Sequence, residues 1–149
     1  MREKRIGLEL RALHNLLKRR VEASPTHTDI HTLTGTHGYV LGYLAHHAHE
    51  APLYQRDIEQ AFSIRPPTAT AILQTMERNG LITREPSPTD ARLKQIVLTE
   101  KAWALHDRVE AEHAQTEQLL RQGLTSEELE VFFRVTEKLK TTLKGGTAV

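Results

Sequence analysis

Residues 53–99 read LYQRDIEQAFSIRPPTATAILQTMERNGLITREPSPTDARLKQIVLT, and the hydrophobic period changes along them. From Tyr54 to Phe62, apolar side chains at Tyr54, Ile58, Ala61 and Phe62 recur at helical spacing and are expected to face inward. Ser63, Ile64, Arg65, Pro66 and Pro67 follow, and two prolines break one helix and start another. Pro67 suits the first helical position, where a missing N–H costs nothing. Ala69, Ile72, Leu73 and Met76 then form a buried stripe, and Gly80 is placed as the left-handed residue that ends the helix. Beyond it the period shortens. Leu81 to Arg84 reads as extended, Glu85 to Arg92 as a hairpin loop stiffened by Pro86 and Pro88, and Lys94 to Thr99 as a second strand. The order predicts a helix-turn-helix followed at once by a two-stranded hairpin.

Outward from this core, residues 4–22 have helical spacing. Ile6, Leu10, Leu13, Leu17 and Val21 fall on one stripe, widened by Leu8, Ala12 and Leu16. Residues 23–35 are polar and turn-rich and read as a linker. A helix is expected from near Thr36, with Val40, Leu41, Leu44, Ala45 and Ala48 on its apolar face, ending before Pro52. On the far side, Glu100 to about Gln122 carries Ala102, Leu105, Val109, Thr116 and Leu120, and would be roughly 34 Å long at 1.5 Å per residue. Thr125 and Glu128 have capping-box spacing before a stripe of Leu129, Phe132, Phe133, Thr136, Leu139 and Leu143. Residues 145–149 read as a frayed tail. The expected fold is mostly α with a small β-hairpin wing. Residues 36–99 form a winged helix-turn-helix domain, and residues 1–35 and 100–149 a helical dimerisation region.

Composition narrows the class. At 149 residues, with 38% hydrophobic and only 5% aromatic content, the chain builds a thin aliphatic core. Long apolar stripes at both ends exceed what that core can bury, which points to a homodimer. The net charge of +1 is no bulk signal for nucleic acid, so the placement of charge decides. Cysteine is absent, which excludes disulfides, thiolate catalysis and Cys-based zinc sites. No apolar run is long enough for a signal peptide or a membrane span, and a cytoplasmic protein is expected.

The second helix of a helix-turn-helix enters the DNA major groove, which is about 12 Å wide. Opposite its core stripe this one bears Thr68, Thr70, Ala71, Gln74, Thr75 and Arg78, with Arg65 just before it. No acidic residue intervenes between Ser63 and Met76 to repel phosphate. The hairpin adds Arg84, Arg92 and Lys94, which could reach a neighbouring minor groove. Asp90 is spaced to hold Arg92 by a charge-assisted hydrogen bond. Exposed Thr and Gln on a helix are ordinarily just solvated, and a basic hairpin tip alone is a weak signal. Their ordered combination is stronger, because packing gives no reason for it. The candidate DNA-binding residues are therefore Arg65, Thr68, Thr70, Gln74, Arg78, Arg84, Asp90, Arg92 and Lys94, and the expected partner is double-stranded DNA.

These same residues resemble the DNA-binding core of the MarR (multiple antibiotic resistance regulator) family of bacterial repressors. The resemblance rests on the Gln-x-Asp-Ile opening at Gln55, Thr-x-Thr at Thr68, Met-Glu-x-x-Gly-Leu-Ile from Met76, Asp-x-Arg at Asp90 and Leu-Thr at Leu98. It implies a homodimer joined by its terminal helices, winged helices on a pseudo-palindromic operator, and often a small-molecule effector that weakens DNA binding. Carried over, Arg92 is the wing arginine and Asp90 its supporting acid, with Thr68, Thr70 and Gln74 as recognition-helix contacts. The pair Pro66–Pro67 departs from the pattern, which more often has a small polar or basic residue there, and puts the usual N-cap hydrogen bond in question.

Nine histidines raise a rival reading, a zinc-responsive regulator of the same fold. His27, His31 and Asp29 lie in the linker. His46, His47 and His49 lie beside Glu50, and His106, Glu110 and His113 share a helix face. The ligand pattern is only partly present, and no metal or other cofactor is expected. Catalysis is not expected either, because no Gly-rich phosphate loop, nucleophile elbow or HExxH is present. A winged-helix protein-interaction module without DNA binding remains as the third class. Such a wing would tend to lose its basic residues, and here they remain.

Overall fold

A computed structural model describes residues 3–23 and 35–145. Helix α1 is Ile6–Glu22, α2 Gly35–His47, α3 Gln55–Phe62 and α4 Pro66–Arg78. Strands β1 (Ile82–Pro86) and β2 (Lys94–Leu98) follow, then α5 (Glu100–Arg121) and α6 (Ser126–Gly145). The chain forms two compact units, Met1–Ala111 and Glu112–Val149. Most of the expected 23–35 linker, including His27, Asp29 and His31, lies outside the described residues, as does the tail after Gly145.

The first unit is organised around aliphatic side chains from every element after α1. Val40, Leu41 and Leu44 of α2, Ile58 of α3, Leu73 and Met76 of α4, and Leu81 and Ile82 at the start of the hairpin are fully buried. Ala102, Leu105 and Val109 of α5 close the cluster. Each fully buried Leu or Ile contributes about 1.5–3 kcal/mol from removal of apolar surface from water. The small side chain of Ala69, wholly buried, lets α4 approach this core closely.

The hairpin is antiparallel, with Ile82 opposite Leu98, Arg84 opposite Ile96 and Pro86 opposite Lys94. It runs further than the sequence suggested: β1 continues through Glu85 to Pro86, so the connecting loop shortens to residues 87–93. Pro86 is tolerated because it is the last residue of its strand. Leu53 pairs with Ile96 in an isolated antiparallel bridge, its carbonyl accepting the Ile96 N–H at 2.7 Å.

Several local expectations need correction. Ala61 is exposed and Phe62 only half-buried, because α3 has eight residues and turns just Ile58 fully into the core. Helix α4 begins at Pro66, so both prolines occupy its first positions rather than Pro67 alone. The bend between α3 and α4 is made by Ser63 in the left-handed region (φ 53°). Gly80 does adopt φ +73°, as its place after α4 required.

In the second unit, Thr125 and Glu128 cap α6 reciprocally: Glu128 N–H donates to Thr125 Oγ1 at 3.1 Å, and Thr125 N–H to Glu128 Oε1 at 3.0 Å. Arg121 bonds Glu117 at 2.8 Å and lies over the Phe133 ring. Neither α1 nor α6 has a buried residue. Ile6, Leu10 and Leu13 on α1 are about half exposed or more, as are Phe132 and Phe133 on α6.

Candidate nucleic-acid interface

Besides the shared aliphatic core, one polar side chain ties α4 to α3. Gln55 Nε2 lies 2.9 Å from Thr70 Oγ1, 3.3 Å from the Pro66 carbonyl and 3.1 Å from Glu59 Oε2. Gln55 thus fixes the first turns of α4, where both prolines have removed backbone donors. No side-chain cap forms at Arg65, in keeping with the departure noted at Pro66–Pro67. Its backbone carbonyl instead accepts from Thr68 and Ala69.

The outer face of α4 presents Arg65, Thr68, Gln74 and Arg78, all exposed. Thr70 differs: it is half-buried and already accepts from Gln55, so only part of its hydroxyl capacity faces outward. Arg78 is oriented by Thr75, whose Oγ1 accepts from Nη2 at 3.1 Å while donating to the Ala71 carbonyl at 3.0 Å. Lys101 caps the other end, with Nζ 2.6 Å from the Asn79 carbonyl.

At the hairpin tip the Asp90 carboxylate grips Arg92 at three points. Arg92 Nε donates to Oδ1 at 3.1 Å and Nη2 to Oδ2 at 3.2 Å, while the Arg92 backbone N–H reaches Oδ1 at 3.0 Å. The Arg92 side chain remains 90% exposed. Its guanidinium and backbone N–H hold the Asp90 carboxyl below its ordinary value of 3.8. A guanidinium has five N–H groups, so three remain to face outward. Lys94 is exposed at the base of the tip, across from Pro86. Arg84 is half-buried on β1, and its Nε is buried without a hydrogen-bond partner among the described residues.

Four residues that position these groups were not singled out from sequence for that role. Besides Gln55, Tyr54 Oη meets Ser87 Oγ at 2.5 Å, joining the start of α3 to the base of the loop. Ser87 is buried, its N–H donates to the Leu93 carbonyl, and its Oγ accepts the Thr89 N–H at 3.3 Å. Thr99 Oγ1 donates to the Gly80 carbonyl at 2.6 Å and accepts the Ala102 N–H at 3.2 Å, closing the open end of the hairpin and starting α5. Gln55 and Thr99 do lie in the motifs quoted above, but motif membership gave no geometry. Tyr54 carried only a hydrophobic signal, and Ser87 none.

Among the described residues no three His, Asp or Glu side chains form a group that could hold a metal ion. Among them too, no helix is long and apolar enough to cross a membrane.

Known proteins share this fold. A family model described as "MarR family" matches residues 31–93. The transcription regulator MarR from Oenococcus oeni PSU-1 is 30% identical, with a TM-score of 0.78 over 91% of this chain and 98% of that one. MepR from S. aureus, solved as a DNA complex, is 27% identical with a TM-score of 0.82, covering 93% of this chain and 96% of its own. The same MepR in its DNA-binding conformation gives a TM-score of 0.79, over 94% and 99%.

Proposed function

The chain belongs to the MarR family of transcription regulators, and on that premise we propose that it is a sequence-specific repressor that binds double-stranded DNA as a homodimer. Helix α4 enters the major groove. Thr68, Thr70 and Gln74 read base edges there, and Arg65 and Arg78 meet phosphate. The hairpin lies over the adjacent minor groove, with Arg92 as its reader and Arg84 and Lys94 adding positive charge. Residues 36–99 carry this contact, and residues 1–35 and 100–149 carry dimerisation. The observation that supports the reading most is the Asp90–Arg92 pair. It presents a guanidinium at the tip of a braced loop, 90% exposed, with its orientation already fixed. Preorganisation of this kind lowers the ordering cost of binding. A small-molecule effector releases the operator. No catalytic step is assigned to any residue.

The dimer accounts for the bare apolar faces of α1 and α6. Ile6, Leu8, Leu13 and Leu16 on α1 are more than half exposed, as is Phe132 on α6. Exposed apolar stripes of that length on each helix favour an interface.

Selection of binding sites from random duplexes, read by mobility shift at fixed salt, tests the proposal. The expected result is a dyad-symmetric site with half-sites about 10 bp apart, one helical turn. Affinity should also fall steeply with salt as lysine and arginine displace counterions. Recovery of no preferred sequence would leave a protein-interaction module as the better account.

A further inference from the structure

Behind the hairpin, a hollow of about 470 Å³ opens between the end of α2, the 48–53 turn, β2 and the first turn of α5. That volume suits a molecule of one to three rings. Its floor is apolar and buried, made by Leu44, Leu53 and Ile96. Its rim is aromatic. The imidazole of His49 and the indole of Trp103 lie nearly parallel, 15° apart, with centroids 5.9 Å from one another. Both side chains are exposed, so a small rotation of either opens a slot for a third flat ring. Among the lining residues Glu50 carries the only formal charge, and no lysine or arginine is present. Its carboxyl is held below the ordinary carboxylate value by a 2.7 Å hydrogen bond from His47 and by the nearby imidazole charge.

An indole face, a carboxylate and an apolar floor together favour a flat cation. The indole quadrupole attracts positive charge, and the carboxylate complements it. An aromatic carboxylate would meet Glu50 with no lysine or arginine in the lining to offset the repulsion. We propose that this hollow is a binding site for a planar aromatic cation, such as a quaternised or protonated nitrogen heterocycle. The hollow is walled on one side by β2 of the wing and on the other by the turn that leads into α3. A bound ring therefore sits between the two segments that Leu53 and Ile96 join, and displaces the wing relative to α3. That makes the hollow the effector site of the proposed regulator, and this second step rests on the DNA-binding reading.

Trp103 is the only tryptophan, so its indole N–H gives one resonance that reports on the hollow directly. The test titrates DNA-free protein with 1-methylquinolinium and, separately, with 2-naphthoate, a fused two-ring system of opposite charge. The expected result is a saturable shift of the Trp103 resonance with binding at least tenfold tighter for the cation. Glu50→Gln should weaken the cation by about three- to tenfold, the scale of a partly exposed charge contact, and should leave 2-naphthoate unchanged or tighter. Equal binding of both probes, an unmoved Trp103 resonance, or a Glu50→Gln protein that binds the cation unchanged would each overturn the site. A second arm measures operator affinity by mobility shift with and without 1-methylquinolinium. A loss of at least threefold is expected, displaced to higher probe concentration in Glu50→Gln. Tight probe binding without that loss would overturn the effector role. The first arm contains no DNA, so failure to find an operator leaves the ligand site to stand or fall by itself.

Discussion

The phenol oxygen of Tyr54 lies 2.5 Å from the hydroxyl oxygen of Ser87, thirty-three residues further along the chain. This bond ties the entry of α3 to the base of the wing loop. It lies at a part-buried site, where Ser87 is 6% exposed, and Arg56 covers the Tyr54 ring from 5.1 Å. Tyr54→Phe keeps the ring and removes the bond. The expected cost is about 0.5–1.5 kcal/mol of folding stability, the net value of one such hydrogen bond, together with a severalfold loss of operator affinity. Urea unfolding and mobility shift measure the two. A variant that loses stability yet binds DNA as before would show that the bond supports the fold without positioning the wing.

Gln55 does for α4 what Tyr54 does for the wing. Gln55→Ala removes the donor to Thr70 and to the Pro66 carbonyl, so α4 should keep its sequence preference but hold it less rigidly. Operator affinity is expected to drop while the preferred bases stay the same. Gln74→Ala should do the reverse at one position per half-site, changing the favoured base by about 1–3 kcal/mol. Site selection on both variants decides, and an unchanged preference in Gln74→Ala would remove that residue from the reading set.

In the proposed DNA-binding reading, Arg92 is the wing's contact. Arg92→Ala is expected to weaken specific binding by about 1–3 kcal/mol with little change in melting temperature, since the side chain is 90% exposed. Arg92→Lys should recover little, because an ammonium cannot take the forked geometry on both Asp90 oxygens. Full operator affinity in Arg92→Ala at fixed salt would exclude the wing as a reader.

The same pair has a pH signature. The Arg92 side chain and backbone N–H depress the Asp90 carboxyl below its ordinary value. Their contribution is therefore complete above the ordinary aspartate range and is lost as pH falls through the depressed value. The wing brace should be constant across neutral pH and loosen only in acid. A carbon-detected titration of Asp90 is expected to show the low value in the native protein and a return toward 3.8 in Arg92→Ala. An Asp90 that titrates identically in both proteins would show that the pair does not persist in solution.

Leu13 on α1 is 56% exposed in the protomer, so charging it does not injure the protomer's own core. Leu13→Glu is expected to shift sedimentation from dimer to monomer at micromolar concentration, because a stable interface of this type buries around 2,000 Å² or more of apolar-rich surface. A monomeric unmodified protein under the same conditions would contradict the dimer.

Much of the architecture was legible in the chain because it depends on local periodicity. The stripe Ala69, Ile72, Leu73 and Met76 specifies one face of α4 at any tertiary arrangement, and all four are buried. Gly80 reads as a left-handed stop because of its place after that stripe, and its φ is +73°. The Asp90–Arg92 pair spans two residues, so loop geometry alone brings its groups together. Tertiary structure decided the rest. Tyr54 with Ser87, Gln55 with Thr70, Leu53 with Ile96, and Thr99 with the Gly80 carbonyl each join segments that meet only after the aliphatic core has packed. Periodicity tells which way a side chain faces, inward or outward. It does not tell which distant polar group stands opposite, because a hydrogen bond needs a distance set to a few tenths of an ångström, and that is fixed by the whole core rather than by any stretch of sequence.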